Sequence, residues 1–378
     1  MSPTTERQPS DAVRCWCGNA DLTSYSPGYA RCPRCESLVA SEPPRDPARV
    51  ADEQTSLYGI NYFHQHAEAF GHPSLEQRAR LDLSDRCAHW LRVVLEHRPP
   101  PARTLELGSA NGAFVGLLAQ AGYQAAGLDL SPAVTAFARE AFQVPVLTGP
   151  IEAQRLEPGA LDLIAMMDVL EHLPDPVATL RACAAALAPD GLLLVQTPRY
   201  DPGRSYQEST ERQDPFLEQL KAGEHLFLLS PSAARRLLAE AGFAFLEFVP
   251  AIFAHYDMSF VASRAPIARV PEEAWRGALR RTRSGRIVEG LVDARERWQE
   301  AVRALEDRLA AIERDRAERL EFIHRQQAHI EEIERDRAAR LDVIHRTQQE
   351  LDALRVQFEH ALRFGPLSRL VRPRPPRI

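Results

Sequence analysis

Four cysteines crowd one end of the chain in two close pairs, Cys15-Trp-Cys17 and Cys32-Pro-Arg-Cys35. No secretory signal is readable in the first dozen residues, so a reducing compartment is expected, and there such spacing points to a metal rather than to disulfides. Zinc is the ion expected at Cys15, Cys17, Cys32 and Cys35, replacing a core too small to fold alone. The first pair is C-x-C where C-x-x-C is commoner, which leaves a metal-free site as the alternative. A second cluster, Leu105-Glu106-Leu107-Gly108-Ser109-Ala110-Asn111-Gly112, sits where a strand turns into a helix. Doubly wound sheets bind ligands at such turns. Ala110 stands where a dinucleotide site needs its second glycine, which argues against a nicotinamide-dependent oxidoreductase. The spacing E-x-G-x-x-x-G suits a ligand without phosphates. Asp129 follows Glu106 by 23 residues, close to the offset at which a carboxylate accepts hydrogen bonds from ribose hydroxyls. Its plainer role, capping the helix that begins at Pro132, suits Ser131 better. Two histidines qualify as a base, His172 in Asp168-Val-Leu-Glu-His172 and His225 in Gly223-Glu-His225, because imidazole titrates near neutrality.

These residues need a scaffold, and 378 residues exceed one ordinary core. The alternation of strand and helix from TLELG (104–108) to GLLLVQTP (191–198) is the signature of an α/β fold, a Rossmann-like, mostly parallel sheet with helices on both faces. The run FAFLEFVPAIF (243–253) is expected to supply the terminal strand pair. A zinc-ribbon-like module (1–45) and a helical lead-in (46–98) precede the α/β domain (99–265), and a linker (266–289) follows. A net charge of -6 gives no reason to expect nucleic acid as partner. No apolar stretch reaches the roughly 20 residues that span a bilayer. The cytoplasm is therefore the expected location.

From about residue 290 the composition turns to Glu, Arg, Ala, Leu and Ile. IERDRAERLEFIHRQQ (312–327) recurs as IERDRAARLDVIHRTQ (333–348), 12 of 16 positions being identical at an offset of 21. Twenty-one residues are three heptads, so residues 290–362 are expected to form a coiled coil, parallel and self-associating. The basic tail (363–378) holds five arginines and no acid. Weak contact with an anionic membrane surface, at the inner face, is one expectation for it and a disordered solubilising end the other.

LELGSANGAF, GLDLSP, GPIEA, LDLIAMMDVLEHLPDP and LAPDGLLLVQTP occur in the order found in the class I S-adenosylmethionine-dependent methyltransferases, and residues 100–250 resemble that family. The resemblance implies S-adenosyl-L-methionine as cofactor. By position, Gly108 and Gly112 would line the methionine moiety, Asp129 the ribose, and Ile151 and Glu152 the adenine, with Asp168 beside the sulfonium and Glu106, Ser109 and Leu130 as further cofactor-binding residues. A solvated carboxylate at a helix start is the alternative for Glu152. The segment Glu224-His225-x-x-x-x-Ser230 resembles an element of sugar methyltransferases that carry an N-terminal zinc module. It implies a sugar or glycan acceptor in polysaccharide or glycoconjugate biosynthesis, with His225 as base ahead of His172. Carbon methylation of a nucleotide-linked keto sugar, and a non-catalytic scaffold with an inactive fold, are the alternatives. Motifs for methylating bases of nucleic acids, Asp/Asn-Pro-Pro-aromatic or Pro-Cys, are missing.

Overall fold

The computed structural model describes residues 13–44, 50–62 and 73–364, and the chain divides into two units, Met1–Trp298 and Gln299–Ile378. In the first unit β1 (Thr23–Ser26), β2 (Tyr29–Arg31) and β3 (Leu38–Ala40) form an antiparallel meander beside the four cysteines. Helix α1 (Leu75–Asp82) opens on a capping box of Ser74 and Gln77, which satisfies two orphan amides. It passes through a π turn, Leu83–Cys87, into α2 (Ala88–His97). The π turn carries Arg86, whose guanidinium lies 3.7 Å from Asp168.

The alternating elements follow as β4 (Arg103–Leu107), α3 (Ala113–Ala121), β5 (Gln124–Asp129), α4 (Pro132–Phe142), β6 (Val146–Thr148), β7 (Leu161–Met167), α5 (Pro176–Ala186) and β8 (Leu187–Pro198). Start signals are explicit. Ser131 and Asp175 cap the first turns of α4 and α5, each followed by proline, whose fixed φ suits that position. Then come α6 (Tyr206–Glu211), β9 (Phe227–Leu228), α7 (Pro231–Glu240), β10 (Phe245–Val249), β11 (Asp257–Ser263), α8 (Glu272–Leu279) and α9 (Arg283–Phe364).

The large sheet has the order β10-β11-β8-β7-β4-β5-β6. Strands β8, β7, β4, β5 and β6 run parallel, while β11 is antiparallel to both β8 and β10. Strand β7 shows why its sequence is an unbroken apolar run. Leu163, Ala165 and Met167 join the cluster under α2, α3 and α8, whereas Ile164 and Met166 join the one under α5 and α7. Both faces are covered, as parallel sheets require.

Two expectations are corrected. The run 243–253 gives only β10, because Pro250 ends it and a turn at 252–256 intervenes before β11. Nor are residues 266–289 a simple linker. Helix α8 buries Trp275 completely with Arg92 and Arg276 over its ring at 4.6 and 4.7 Å, and the start of α9 buries Val288 and Val292. Trp275→Ala is expected to cost about 3–5 kcal/mol, as large-to-small changes in cores do. Thermal or denaturant unfolding measures it, and a loss below about 1 kcal/mol would make α8 an appendage.

In the second unit α9 continues to Phe364 with nearly every side chain exposed. No helix among the described residues is long and apolar enough to cross a membrane. The basic tail and its proposed membrane contact lie outside the described residues, apart from Arg363 and Phe364.

Candidate active site

The β4–α3 turn is shaped by its backbone. Gly108, Ala110 and Gly112 all take positive φ, at 69°, 41° and 78°. The carboxylate of Asp129, at the end of β5, accepts the N–H of Ala110 at 2.9 Å and that of Ser131 at 3.2 Å, tying the first two loops of the sheet together. Burial raises its pKa, against these hydrogen bonds. Both loops open on a cavity of about 1000 Å³, at the upper end of the range for small-molecule sites.

Gly108, Asp129, Leu130, Ile151, Glu152, Asp168, His172 and His225 all line this cavity; Glu106, Ser109 and Gly112 do not. Glu106 is buried, and burial raises its pKa well above the usual range, partly offset by a backbone hydrogen bond from Val115 at the start of α3. Ser109 is packed against Gly127, and a Cβ on Gly112 would stand 2.8 Å from Ala138 Cβ of α4. These three shape the turn from behind. Glu152 is exposed at the start of a short 3-10 turn, and Thr179 donates a hydrogen bond to its carboxylate.

Asp168 also takes a left-handed backbone, φ 56°, a conformation that costs an ordinary residue free energy and is often retained at functional sites. Gln196 of β8 fixes it twice, by accepting the Asp168 N–H at its carbonyl (3.0 Å) and donating its side-chain amide to the carboxylate (3.2 Å). Trp90 in turn donates to Gln196 at 3.1 Å. Burial pushes the Asp168 pKa up, and Arg86 opposes that shift.

The two histidines meet edge to face, their rings 4.8 Å apart. His225 is 5% exposed. The Gln219 carbonyl lies 2.8 Å from its Nδ1; a carbonyl can only accept, so Nδ1 carries the proton and Nε2 the lone pair. Burial, followed by the neighbouring His172, lowers its pKa to about 3. His172 Nδ1 lies 3.0 Å from the Glu224 carbonyl and 2.8 Å from the Tyr58 hydroxyl, which places its proton on the same nitrogen. One donor atom from each of Glu171, His172 and His225 lies within 4.8 Å of the others. Such a group can receive an acceptor hydroxyl, and two imidazoles with a carboxylate are also a donor set that fits a divalent cation.

Several residues here are invisible to motif reading. Tyr58 and Tyr62 reach the cavity from the segment ahead of α1, which is anchored by Glu53: its carboxylate accepts from Ser131 Oγ at 2.7 Å and the Ala133 N–H at 2.9 Å. Asp257, whose pKa burial and then the Asp168 charge push up to about 8, lines the same space. Most unexpected is the route by which His225 is held. Strand β9, two residues beyond it, pairs antiparallel with β3 of the cysteine module, Val39 opposite Phe227 and Leu38 opposite Leu228. The Tyr29 hydroxyl donates to the His225 carbonyl at 2.8 Å. Strands this short leave no periodic signal.

The module's own geometry is tight. Cys15 and Cys35 sulfurs are 3.4 Å apart and those of Cys17 and Cys32 3.6 Å, all four within 4.8 Å of one another. A tetrahedral Zn–S distance near 2.3 Å requires sulfurs about 3.8 Å apart, which this quartet fits.

Residues 77–247 match a family model described as a methyltransferase domain. Residues 77–247 thus have the α/β architecture of a methyltransferase domain. A ubiquinone biosynthesis O-methyltransferase of Xanthomonas campestris pv. campestris is 36% identical over 104 residues, 26% of this chain and 44% of that protein. One from Bordetella pertussis is 30% identical over 148 residues, 37% and 61% of the respective chains. The chain thus spans only about half the length of these curated relatives. Among solved structures, an S-adenosylmethionine dependent methyltransferase from Mesorhizobium loti aligns with a TM-score of 0.37 at 19% identity, covering 46% of this chain and 97% of that one. The matched residues include β4 to β9 and carry Gly108, Asp129, Asp168, His172 and His225, whereas β11, Tyr58, Tyr62 and Asp257 lie outside them.

Proposed function

We propose that this chain is an S-adenosylmethionine-dependent methyltransferase that O-methylates a hydroxyl of a sugar or glycan acceptor, with a structural zinc ion at Cys15, Cys17, Cys32 and Cys35. One observation carries the reading: Asp129 and Gly108, at the first two strand ends, and the His172–His225 pair open on the same cavity. When bound, S-adenosylmethionine supplies an electrophilic methyl group, so the protein has chiefly to align the acceptor. Gly108, Asp129, Leu130, Ile151, Glu152 and Asp168 would hold the cofactor, and the carboxylate of Asp168 at the end of β7 suits a cationic sulfonium. Tyr58, Tyr62, Glu224 and Asp257 offer the hydroxyl and carboxyl partners a polyol needs. His225, neutral with Nε2 unprotonated, would accept the acceptor's hydrogen bond and draw off its proton. The names of the relatives support an oxygen as the methylated atom. The sugar rests on the resemblance of the Glu224–Ser230 segment alone.

Calorimetric titration with S-adenosylmethionine, S-adenosylhomocysteine and NADH tests the first half. Binding of the first two alone is expected; binding of NADH alone would overturn it, and no binding would indicate a scaffold. Turnover on a panel of nucleotide sugars, glycans and small phenols tests the second. His225→Ala should cost about 100-fold in turnover, the low end for a lost general base, with cofactor affinity nearly unchanged. The wild-type rate should show no His225 inflection between pH 5 and 9, because a pKa near 3 keeps that ring neutral throughout. An unchanged rate in the variant would remove the role from His225.

A further inference from the structure

We infer that residues 299–364 pair with a second copy of this chain as an antiparallel, two-stranded coiled coil centred on residues 331 and 332. Helix α9 presents a row of Leu309, Ile312, Leu320, Ile323, Ile330, Ile333, Leu341, Ile344 and Leu351, each between 45 and 59% exposed. So long an apolar row gains little from remaining in water, since helical propensity alone does not stabilise a solvated helix and burial of the row does. With Arg316, Gln327, Arg337 and Gln348 included, the seam from 309 to 351 averages 3.5 residues per position, as a left-handed supercoil requires.

The partner's direction follows from where the row is interrupted. Arg316, Gln327, Arg337 and Gln348 occupy it at matching points of the two 21-residue repeats. In a parallel, in-register pair Arg316 would face Arg316 of the other copy and Arg337 would face Arg337, two like-charge layers in the seam. Reversing one copy about residues 331 and 332 changes every layer. Arg316 then faces Gln348 and Gln327 faces Arg337. The guanidinium of each arginine meets an amide oxygen that can accept from it. Every apolar layer still meets an apolar one: Ile330 with Ile333, Ile323 with Leu341, Leu320 with Ile344, Ile312 with Leu351, and Leu309 with Leu354. The match continues outward through Leu305 with Phe358, which are 65 and 59% exposed. Like charges suppress a wrong pairing while complementary polar layers set the register. Antiparallel pairing replaces the parallel arrangement that the repeat alone suggests.

Light scattering on the full-length protein is expected to give a dimer; a monomer at tens of micromolar overturns the pairing, and a trimer or tetramer overturns its two-stranded form. Orientation is read by co-expressing an Arg316→Cys chain with a Gln348→Cys chain, oxidising mildly and mapping disulfide-linked peptides. A 316–348 link between chains is expected. Links of 316 to 316 or 348 to 348 overturn the antiparallel reading, because those positions should lie about 48 Å apart at 1.5 Å rise per residue. Ile323→Asp with Leu341→Asp should yield monomer that retains the parent's S-adenosylmethionine affinity, and a persisting dimer would show that the row is not the interface.

Discussion

Removing the proposed zinc, or replacing Cys32 by Ser, is expected to lower turnover at least about 100-fold while cofactor affinity stays within about threefold, the scale on which misplacing a reacting group by about 1 Å acts. Cys32 and Cys35 flank the turn that leads into β3, and the Cys32 N–H donates to the Ser37 carbonyl at 2.9 Å, with the Glu36 N–H donating back to the Cys32 carbonyl at 2.9 Å. Strand β3 then pairs with β9, and the Ala40 N–H donates to the Leu226 carbonyl next to His225 at 2.9 Å. On the other side Leu226 donates its N–H to the Glu171 carbonyl at 2.7 Å. His225 is thus fixed between the cysteine module and the loop after β7. Loosening the module frees that ring, whereas the β4–α3 turn and Asp168 keep hydrogen bonds of their own, Ala110 to Asp129 and Asp168 to Gln196. Kinetics together with calorimetry on the chelated protein measure the split. Equal losses of rate and affinity would mean that the module supports the whole domain, and no loss of either that β9 holds His225 alone.

The parts of this arrangement that could be read in the sequence are those with a local physical signature. Ser131-Pro132 and Asp175-Pro176 announce helix starts because cap and proline act within a few residues. The apolar run of β7 announces a strand buried on both faces. Asp129 could be placed because a strand end fixes it. The turn around Gly108 was legible as a turn, but E-x-G-x-x-x-G does not tell which of its residues face the ligand. Glu106 lies under α3 and Gly112 against α4 because the chain reverses there, and only the three-dimensional path separates them from Gly108. Tyr58, Tyr62 and Asp257 reach the cavity from segments far away in sequence, and no spacing rule connects them to it. Trp275 carries no local signature, since eight residues with one aromatic resemble a linker, and only the fold brings Arg92 and Arg276 over its ring.

That separation of the two glycines leads to a sharper expectation: Gly108→Ala should weaken S-adenosylmethionine binding at least about tenfold, whereas Gly112→Ala should chiefly lower thermal stability. Both positions are left-handed, so each alanine costs roughly 1–2 kcal/mol in backbone strain alone. The neighbours then differ. At Gly108 the new Cβ would stand 2.4 Å from Val169 Cγ2, and Val169 lines the cavity beside Asp168. Relief requires moving either that loop or the Gly108–Ala110 turn, and the turn cannot move without stretching the Ala110 to Asp129 hydrogen bond. Either shift distorts the two loops proposed to hold the cofactor, and a factor of ten corresponds to only about 1.4 kcal/mol. At Gly112 the clash is with Ala138 Cβ at 2.8 Å, on a helix face turned away from the cavity, so the cost falls on the packing of α3 against α4. Paired measurements of binding and melting temperature on both variants decide the matter. Should Gly112→Ala lose affinity as steeply as Gly108→Ala at equal loss of stability, the turn would be one rigid unit, and the division of its residues into those facing the cavity and those behind it would be wrong.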